Sequence, residues 1–239
     1  DLHKEYRRQR QMCIRDSSRG IVVSMLRVAV LLSGRGSNLQ ALIDACRDPD
    51  FPATIVSVIS NNPHAQGLAR AQKAGIPTTV VNHRSYESRE TFDAAITNDL
   101  DEARAELVCL AGFIRILTKR FVNRWRNRLL NIHPSLLPSF KGLDAQQQAL
   151  DAGVKLAGCS VHFVRSGLDD GPIIAQAAVP VLDNDDVKAL STRILALEHS
   201  LYPSVVRLIA EGRVAVVNER AIIDGKLHSS SSMSNPSQD

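Results

Sequence analysis

Short β-rich apolar runs alternate with longer helix-patterned segments through most of this chain, and that alternation restricts the fold more than any other feature. Apolar runs fall near 27–33, 54–59, 78–82, 107–111, 129–132, 158–164 and 173–181. Helical patterns fall near 38–47, 65–74, 86–104, 144–152 and 186–211. In the last, Leu190, Ile194, Leu197, Leu201, Val205 and Leu208 recur at steps of three and four, a core-facing stripe. Pro203 lies within it, removes one N–H donor and favours a kink. Strand and helix in alternation predict an α/β chain, an open and mostly parallel sheet with helices on both faces. Runs 27–33 and 107–111 are apolar on both faces, as buried parallel strands are. Runs 158–164 and 173–181 are joined without a helix signal and suit an antiparallel pair. Residues 214–223 are expected to add a hairpin or extended segment.

The 239 residues, 44% of them apolar, suffice for one sizeable core, which must be aliphatic because aromatics make up only 4%. The net charge of +4 points weakly to anionic ligands. Much of it sits in Lys4, Arg7, Arg8, Arg10, Arg15 and Arg19. No nucleic-acid module accompanies that cluster, so no nucleic-acid partner is expected. No run approaches the ~20 apolar residues of a membrane span, and none is expected. Cys13, Cys46, Cys109 and Cys159 are scattered without metal-ligand spacing; no metal is expected, and a cytosolic, reducing compartment is. Residues 1–24 read as an extension foreign to the fold, with Met25 as the natural start. Residues 25–223 form the folded domain, and 224–239 read as a disordered tail.

Two constellations carry chemistry. The first strand runs into Ser33-Gly34-Arg35-Gly36-Ser37-Asn38 and then a helix. Glycines permit the tight turn, Ser37 or Asn38 can cap the helix, and free N–H groups at its N-terminus bind anions. This is not the dinucleotide fingerprint: Leu39 takes the third glycine's place, and the second strand ends in Ser60-Asn61-Asn62 without an acid. Locally, a phosphate cradle and an ordinary capped turn remain equally good readings. In the second constellation, Asn131 and His133 share one face at a strand end that Pro134 stops. Downstream, Ser160 and His162 also share a strand face, and Asp169 lies in an Asp-Asp-Gly-Pro turn. A carboxylate beside an imidazole favours its protonated form. His162 alone reads as a supporting strand histidine.

Five segments together resemble the phosphoribosylglycinamide formyltransferase family: Gly-Arg-Gly-Ser-Asn-Leu-Gln (34–40), Leu-Ala-Gly-Phe-Ile-Arg-Ile-Leu (110–117), Asn-Ile-His-Pro-Ser-Leu-Leu-Pro (131–138), Gly-Cys-Ser-Val-His-Phe-Val (158–164) and Leu-Asp-Asp-Gly-Pro-Ile-Ile (168–174). The resemblance runs from Met25 to about residue 223. It implies a Rossmann-like formyltransferase fold around a mostly parallel seven-stranded sheet. It implies transfer of a formyl group from 10-formyltetrahydrofolate, the co-substrate, to the amine of glycinamide ribonucleotide in purine synthesis, by direct attack through a tetrahedral intermediate and without a metal.

By the same resemblance Asn131, His133 and Asp169 are the catalytic trio, with Ser160 as a polar companion. Gly36, Ser37, Asn38 and Glu198 bind the nucleotide substrate. Arg89, Ile114, Arg115, Ile116, Leu117 and Asn131 bind folate. On their own, Glu198 and Arg89 read as surface helix residues, and the apolar members of 114–117 as core. Asp144 stands where some relatives carry histidine, and Leu195 where some carry a polar residue. A monomer or homodimer is expected. The nearest rivals are a formyltetrahydrofolate deformylase, a family that lacks the Gly-x-Gly-Ser-Asn cradle and adds a regulatory domain, and a nucleotide-binding relative without catalysis. Methionyl-tRNA formyltransferase shares the Asn-x-His and Asp-x-Gly-Pro elements but implies a longer chain.

Overall fold

The computed structural model describes residues 25–224; the expectations for 1–24 and for the tail beyond Asp224 lie outside the described residues. Strand β1 (Leu26–Leu32) leads through α1 (Ser37–Ala45) to β2 (Ala53–Ser60), and α2 (Gln66–Lys73) leads on to β3 (Thr78–Val80). A 3-10 turn at His83–Ser85 precedes α3 (Arg89–Glu102), which connects to β4 (Leu107–Leu110). Next come α4 (Lys119–Arg124), β5 (Leu129–His133), α5 (Ala145–Asp151), β6 (Leu156–Phe163) and β7 (Ile173–Pro180). Helix α6 (Val187–Ala210) and the hairpin β8 (Val214–Val217) and β9 (Arg220–Ile223) close the described chain.

Seven strands form one sheet in the order β3-β2-β1-β4-β5-β6-β7. The pairings from β3 across to β5 are parallel, and those of β5 with β6 and β6 with β7 are antiparallel. The mostly parallel sheet of the sequence reading is therefore present, and so is the antiparallel β6–β7 pair. Period-two alternation splits β1 between two cores. Val28, Val30 and Leu32 pack with residues of α1, α2 and α6 on one face. Ala29 and Leu31 pack with Phe92, Ile96 and Leu100 of α3, Phe121 and Val122 of α4, and Trp125 at the end of α4 on the other. A third cluster seats α5 and the first half of α6 on β6.

Two helices differ from the sequence reading. Helix α3 begins at Arg89, not 86, because Ser88 and Thr91 form a reciprocal capping box. Helix α4 carried no sequence signal; at six residues it is too short for a periodic stripe, and Thr118 caps it while Phe121 and Val122 are buried. Helix α6 continues through Pro203 over 24 residues. Packing of Tyr202, Val205 and Val206 into the core holds the turns on either side. Cys109 and Cys159 are buried as expected, and burial pushes both thiols up to about 12.

The chain order places the functional edge. After β1 the connections step outward to β3, then return to lay β4 on the other side of β1. The carboxyl ends of β1 and β4 lie side by side at this switch point, the place where open α/β sheets bind ligands.

Candidate active site

The polar face is set by strand register. Asn131 pairs with His162 and His133 with Ser160 across the antiparallel β5–β6 ladder. Residues paired in this way point to one side of the sheet, so all four polar side chains share a face. Leu129, two residues earlier on the same side, still belongs to the α3–α4 core. The polar patch therefore begins where that apolar core ends.

Asp169 reaches the patch from the loop between β6 and β7. Its backbone sits at φ 45°, a left-handed conformation uncommon outside glycine. Asp169 Oδ2 accepts from the Gly142 N–H at 2.9 Å, which ties its loop to the one after β5. The same oxygen lies 3.5 Å from His133 Nδ1. Asp169 Oδ1 lies 3.5 Å from Asn131 Nδ2 and 3.8 Å from His162 Nε2. His133 Nε2 stands 2.8 Å from the Phe140 carbonyl and, since that oxygen only accepts, carries its proton there. The structure thus brings Asn131, His133 and Asp169 together. Several of their mutual contacts exceed 3.2 Å, loose enough to be exchanged for a ligand.

His162 is a fourth member. The residue is 1% exposed, and burial lowers its pKa below the ordinary histidine value, keeping it neutral. Nδ1 donates to the Phe163 carbonyl at 3.1 Å, so Nε2 is the free acceptor and takes the Asn131 amide N–H at 3.3 Å. That assignment fixes which way the Asn131 carboxamide faces. Ser160 has a different place from the one its grouping with the catalytic trio implies. It is fully buried; its hydroxyl donates to the Ser135 carbonyl at 2.7 Å and accepts from the Leu137 N–H at 3.0 Å and the Gln176 amide at 2.8 Å. It braces the turn after His133 and has no surface open to solvent.

The loop after β1 forms the second wall. Gly36 at φ 71° is the N-cap of α1, and no side chain caps that helix. Capping by Ser37 or Asn38 is therefore corrected: a left-handed glycine starts the helix, which leaves its first-turn N–H groups open toward an anion. A Cβ on Gly36 would meet Gly67 Cα at 2.6 Å, so α2 approaches the cradle as closely as two glycines allow. Asn38 turns away from the cradle and donates to Glu198 Oε2 at 2.7 Å. Arg70, which carried no sequence signal, brings its guanidinium to this loop, donating to the Arg35 carbonyl at 3.0 Å and to Gln40 Oε1 at 3.3 Å. A cavity of about 420 Å³ opens there, lined by Ser37, Gln40, Ala41, Asp44, Arg70 and His199.

Glu198 is 6% exposed, not the solvated helix carboxylate that its local sequence suggests. Burial raises its pKa, with the Asn38 bond opposing. A carboxyl group held above its ordinary pKa stabilises the fold below that ordinary value, and the stability is lost as pH rises through the raised value. Glu198→Gln, which keeps an acceptor for Asn38, should therefore raise the Tm of the free protein by about 2–4 °C at pH 8, for about 1 kcal/mol. The gain should vanish near pH 4. Equal Tm values at pH 8 in a thermal melt would contradict the buried charge.

The third wall is the loop 112–118 after β4. Ile114 and Ile116 are 68% and 70% exposed, overturning the core reading of the apolar residues there; Arg115 is exposed beside them and Leu117 is half-buried against the α3–α4 core. Two neighbouring solvent-facing isoleucines at this edge of the sheet form a surface suited to a flat apolar ligand. Arg89 is exposed in the first turn of α3. Asp93 of the same helix accepts from the Thr118 N–H at 2.7 Å, and Phe92 stacks on Phe113 with centroids 6.5 Å apart, so α3 is fastened to this loop. Asp144 adopts φ 55° at the start of α5 and Leu195 is half-buried on α6. Among the described residues no cluster of potential metal ligands is present, and no helix is long and apolar enough to cross a membrane.

A model of the formyl transferase family matches residues 26–206. The chain is 56% identical over 188 residues to the trifunctional purine biosynthetic protein adenosine-3 of Bos taurus, covering 79% of this chain and 19% of that one. It thus spans about a fifth of that relative's length. It is 44% identical over 201 residues to the phosphoribosylglycinamide formyltransferase of Escherichia coli, covering 84% of this chain and 95% of that protein. Among solved structures, glycinamide ribonucleotide transformylase 1 from Symbiobacterium toebii superposes with a TM-score of 0.83 at 48% identity, covering 87% of this chain and 99% of that one.

Proposed function

The chain belongs to the formyl transferase family, and from that premise we propose that it moves a formyl group from 10-formyltetrahydrofolate to the amine of glycinamide ribonucleotide. One observation carries the reading: Asn131, His133, His162 and Asp169 converge at the carboxyl end of β5, on the sheet edge where β1 leads into an uncapped helix N-terminus and β4 into a loop with two exposed isoleucines. The helix end suits a phosphate and the isoleucines suit a pterin ring. The polar cluster lies where a formyl carbon and an amine would meet.

The residues divide the work. The first-turn N–H groups at Ser37 and Asn38, with Gly36 admitting close approach, hold the nucleotide phosphate. Glu198, oriented by Asn38, accepts from the nucleotide's hydroxyl groups. Ile114, Arg115, Ile116, Leu117 and Arg89 hold the folate. As the neutral amine attacks, negative charge develops on the formyl oxygen, and Asn131 and His133 donate to it. Asp169 lies 3.5 Å from His133 Nδ1, loosely enough that the proton there can turn to the formyl oxygen and pass to the folate nitrogen as its bond to the formyl carbon breaks, while the proton lost by the attacking amine returns to Nδ1. His162 fixes the Asn131 amide, and Ser160 fixes the turn beyond His133. Holding the two substrates side by side supplies proximity. The unit that does this spans residues 25–223, acts in the cytosol as a monomer or homodimer, and takes only small-molecule partners.

Ligand-induced thermal shifts test the two substrate surfaces separately. Glycinamide ribonucleotide and 10-formyltetrahydrofolate, each at about 100 times its Kd, should each stabilise the protein by about 2.7 kcal/mol, and NAD should not. Stabilisation by NAD alone would remove the reading.

A further inference from the structure

The two substrate loops meet at one side chain, Ser33. Ser33 ends the run from β1 into the phosphate cradle, and its hydroxyl accepts the Ile114 N–H at 2.8 Å. With one lone pair used in that way, its own proton goes to Asn61 Oδ1 at 2.6 Å. Asn61 is 5% exposed, so this orientation is set inside the protein. Its amide lies 3.3 Å from His83 Nδ1. The Ser33 backbone is anchored as well: its N–H donates to the Gly112 carbonyl at 3.0 Å, and its carbonyl accepts from the Asn62 amide at 3.2 Å.

The geometry points to Ser33 as a positioning residue for the folate surface, acting through the backbone of Ile114. The inference rests on the proposed function, which assigns the loop 112–118 to folate. That loop has no helix or strand of its own. It presents two large apolar side chains to water, an arrangement that hydrophobic collapse onto the protein would undo. It persists because the loop is pinned near both ends, by Ser33 at Ile114 and by Asp93 at Thr118. Pinning a surface before its ligand arrives removes part of the ordering cost of binding. Asn61 in turn holds the Ser33 hydroxyl to one rotamer, so the chain from His83 to Ile114 is one device.

A merely structural serine would affect both substrates or neither. A positioning serine affects one, because the cradle backbone at 34–36 does not depend on the Ser33 hydroxyl. In the full chain, Ser33→Ala should weaken 10-formyltetrahydrofolate binding about tenfold by calorimetry without the amine, the scale of one lost hydrogen bond. Glycinamide ribonucleotide binding should stay within about twofold, and amide hydrogen exchange at Ile114 should quicken about tenfold. Ser33→Thr, which keeps the hydroxyl, should restore both values. Asn61→Ala should act in the same direction, and the double variant should fall short of the sum. Unchanged folate binding and unchanged Ile114 exchange in Ser33→Ala would overturn the inference while leaving the function intact. Equal weakening toward both substrates would also overturn it. Failure of the unsubstituted chain to bind the folate would remove the functional reading, and this inference with it.

Discussion

Replacing His133 with alanine should lower kcat for formyl transfer about 10³-fold, with KM for either substrate changed by no more than about threefold. The expectation follows from where the ring sits. It is buried at the end of β5, with Nε2 on the Phe140 carbonyl and Nδ1 facing Asp169. The neighbouring His162 does not substitute, because burial holds it neutral and Phe163 takes its only N–H. Asp169→Ala should cost a comparable factor in kcat and also raise KM for the folate, since the Asp169 carboxylate holds the Gly142 N–H as well. Steady-state kinetics with each substrate varied in turn separates the two patterns. Near-normal kcat in folded His133→Ala would end its assignment.

The second large effect concerns Asn131. Loss of one donor to a developing oxyanion costs about 10²–10³ in kcat, so Asn131→Ala should fall in that range. His162→Phe should cost less, about tenfold, because it frees the Asn131 amide without removing it. The double variant should be little worse than Asn131→Ala, since His162 acts only through that amide. Full additivity in the kinetic cycle would mean that His162 touches the substrate directly.

The polar site was largely legible in the sequence because period-two geometry is local. Asn131 and His133 at i and i+2, stopped by Pro134, share a face whatever surrounds them. Pairing with His162 and Ser160 was not legible, because antiparallel register depends on which strands neighbour each other. That register is what makes His162 a holder of Asn131. Asp169 stood out as a turn residue, but its left-handed backbone and its grip on Gly142 required the loop after β5 to be in place.

The cradle was half legible. Gly36 was expected for its conformational freedom, whereas the reason it cannot be larger is Gly67, a residue 31 positions away. Asn38 has the chemistry of a cap and is drawn instead to Glu198 on α6, a tertiary partner that no local pattern shows. Taken on their own, Ile114 and Ile116 also misread as core. Apolar residues normally read as core, and only the pins at Ser33 and Asp93 explain why these two face water. Helix α4 escaped notice because six residues do not make a stripe.

The most direct measurement combines the purified chain with 10-formyltetrahydrofolate, with and without glycinamide ribonucleotide, and follows both tetrahydrofolate release and formylation of the amine. Tetrahydrofolate should appear only when the nucleotide is present, in a one-to-one ratio with formylated amine. Tetrahydrofolate and formate appearing at the same rate without the nucleotide would contradict formyl transfer to the amine, and would make water the acceptor that this site serves.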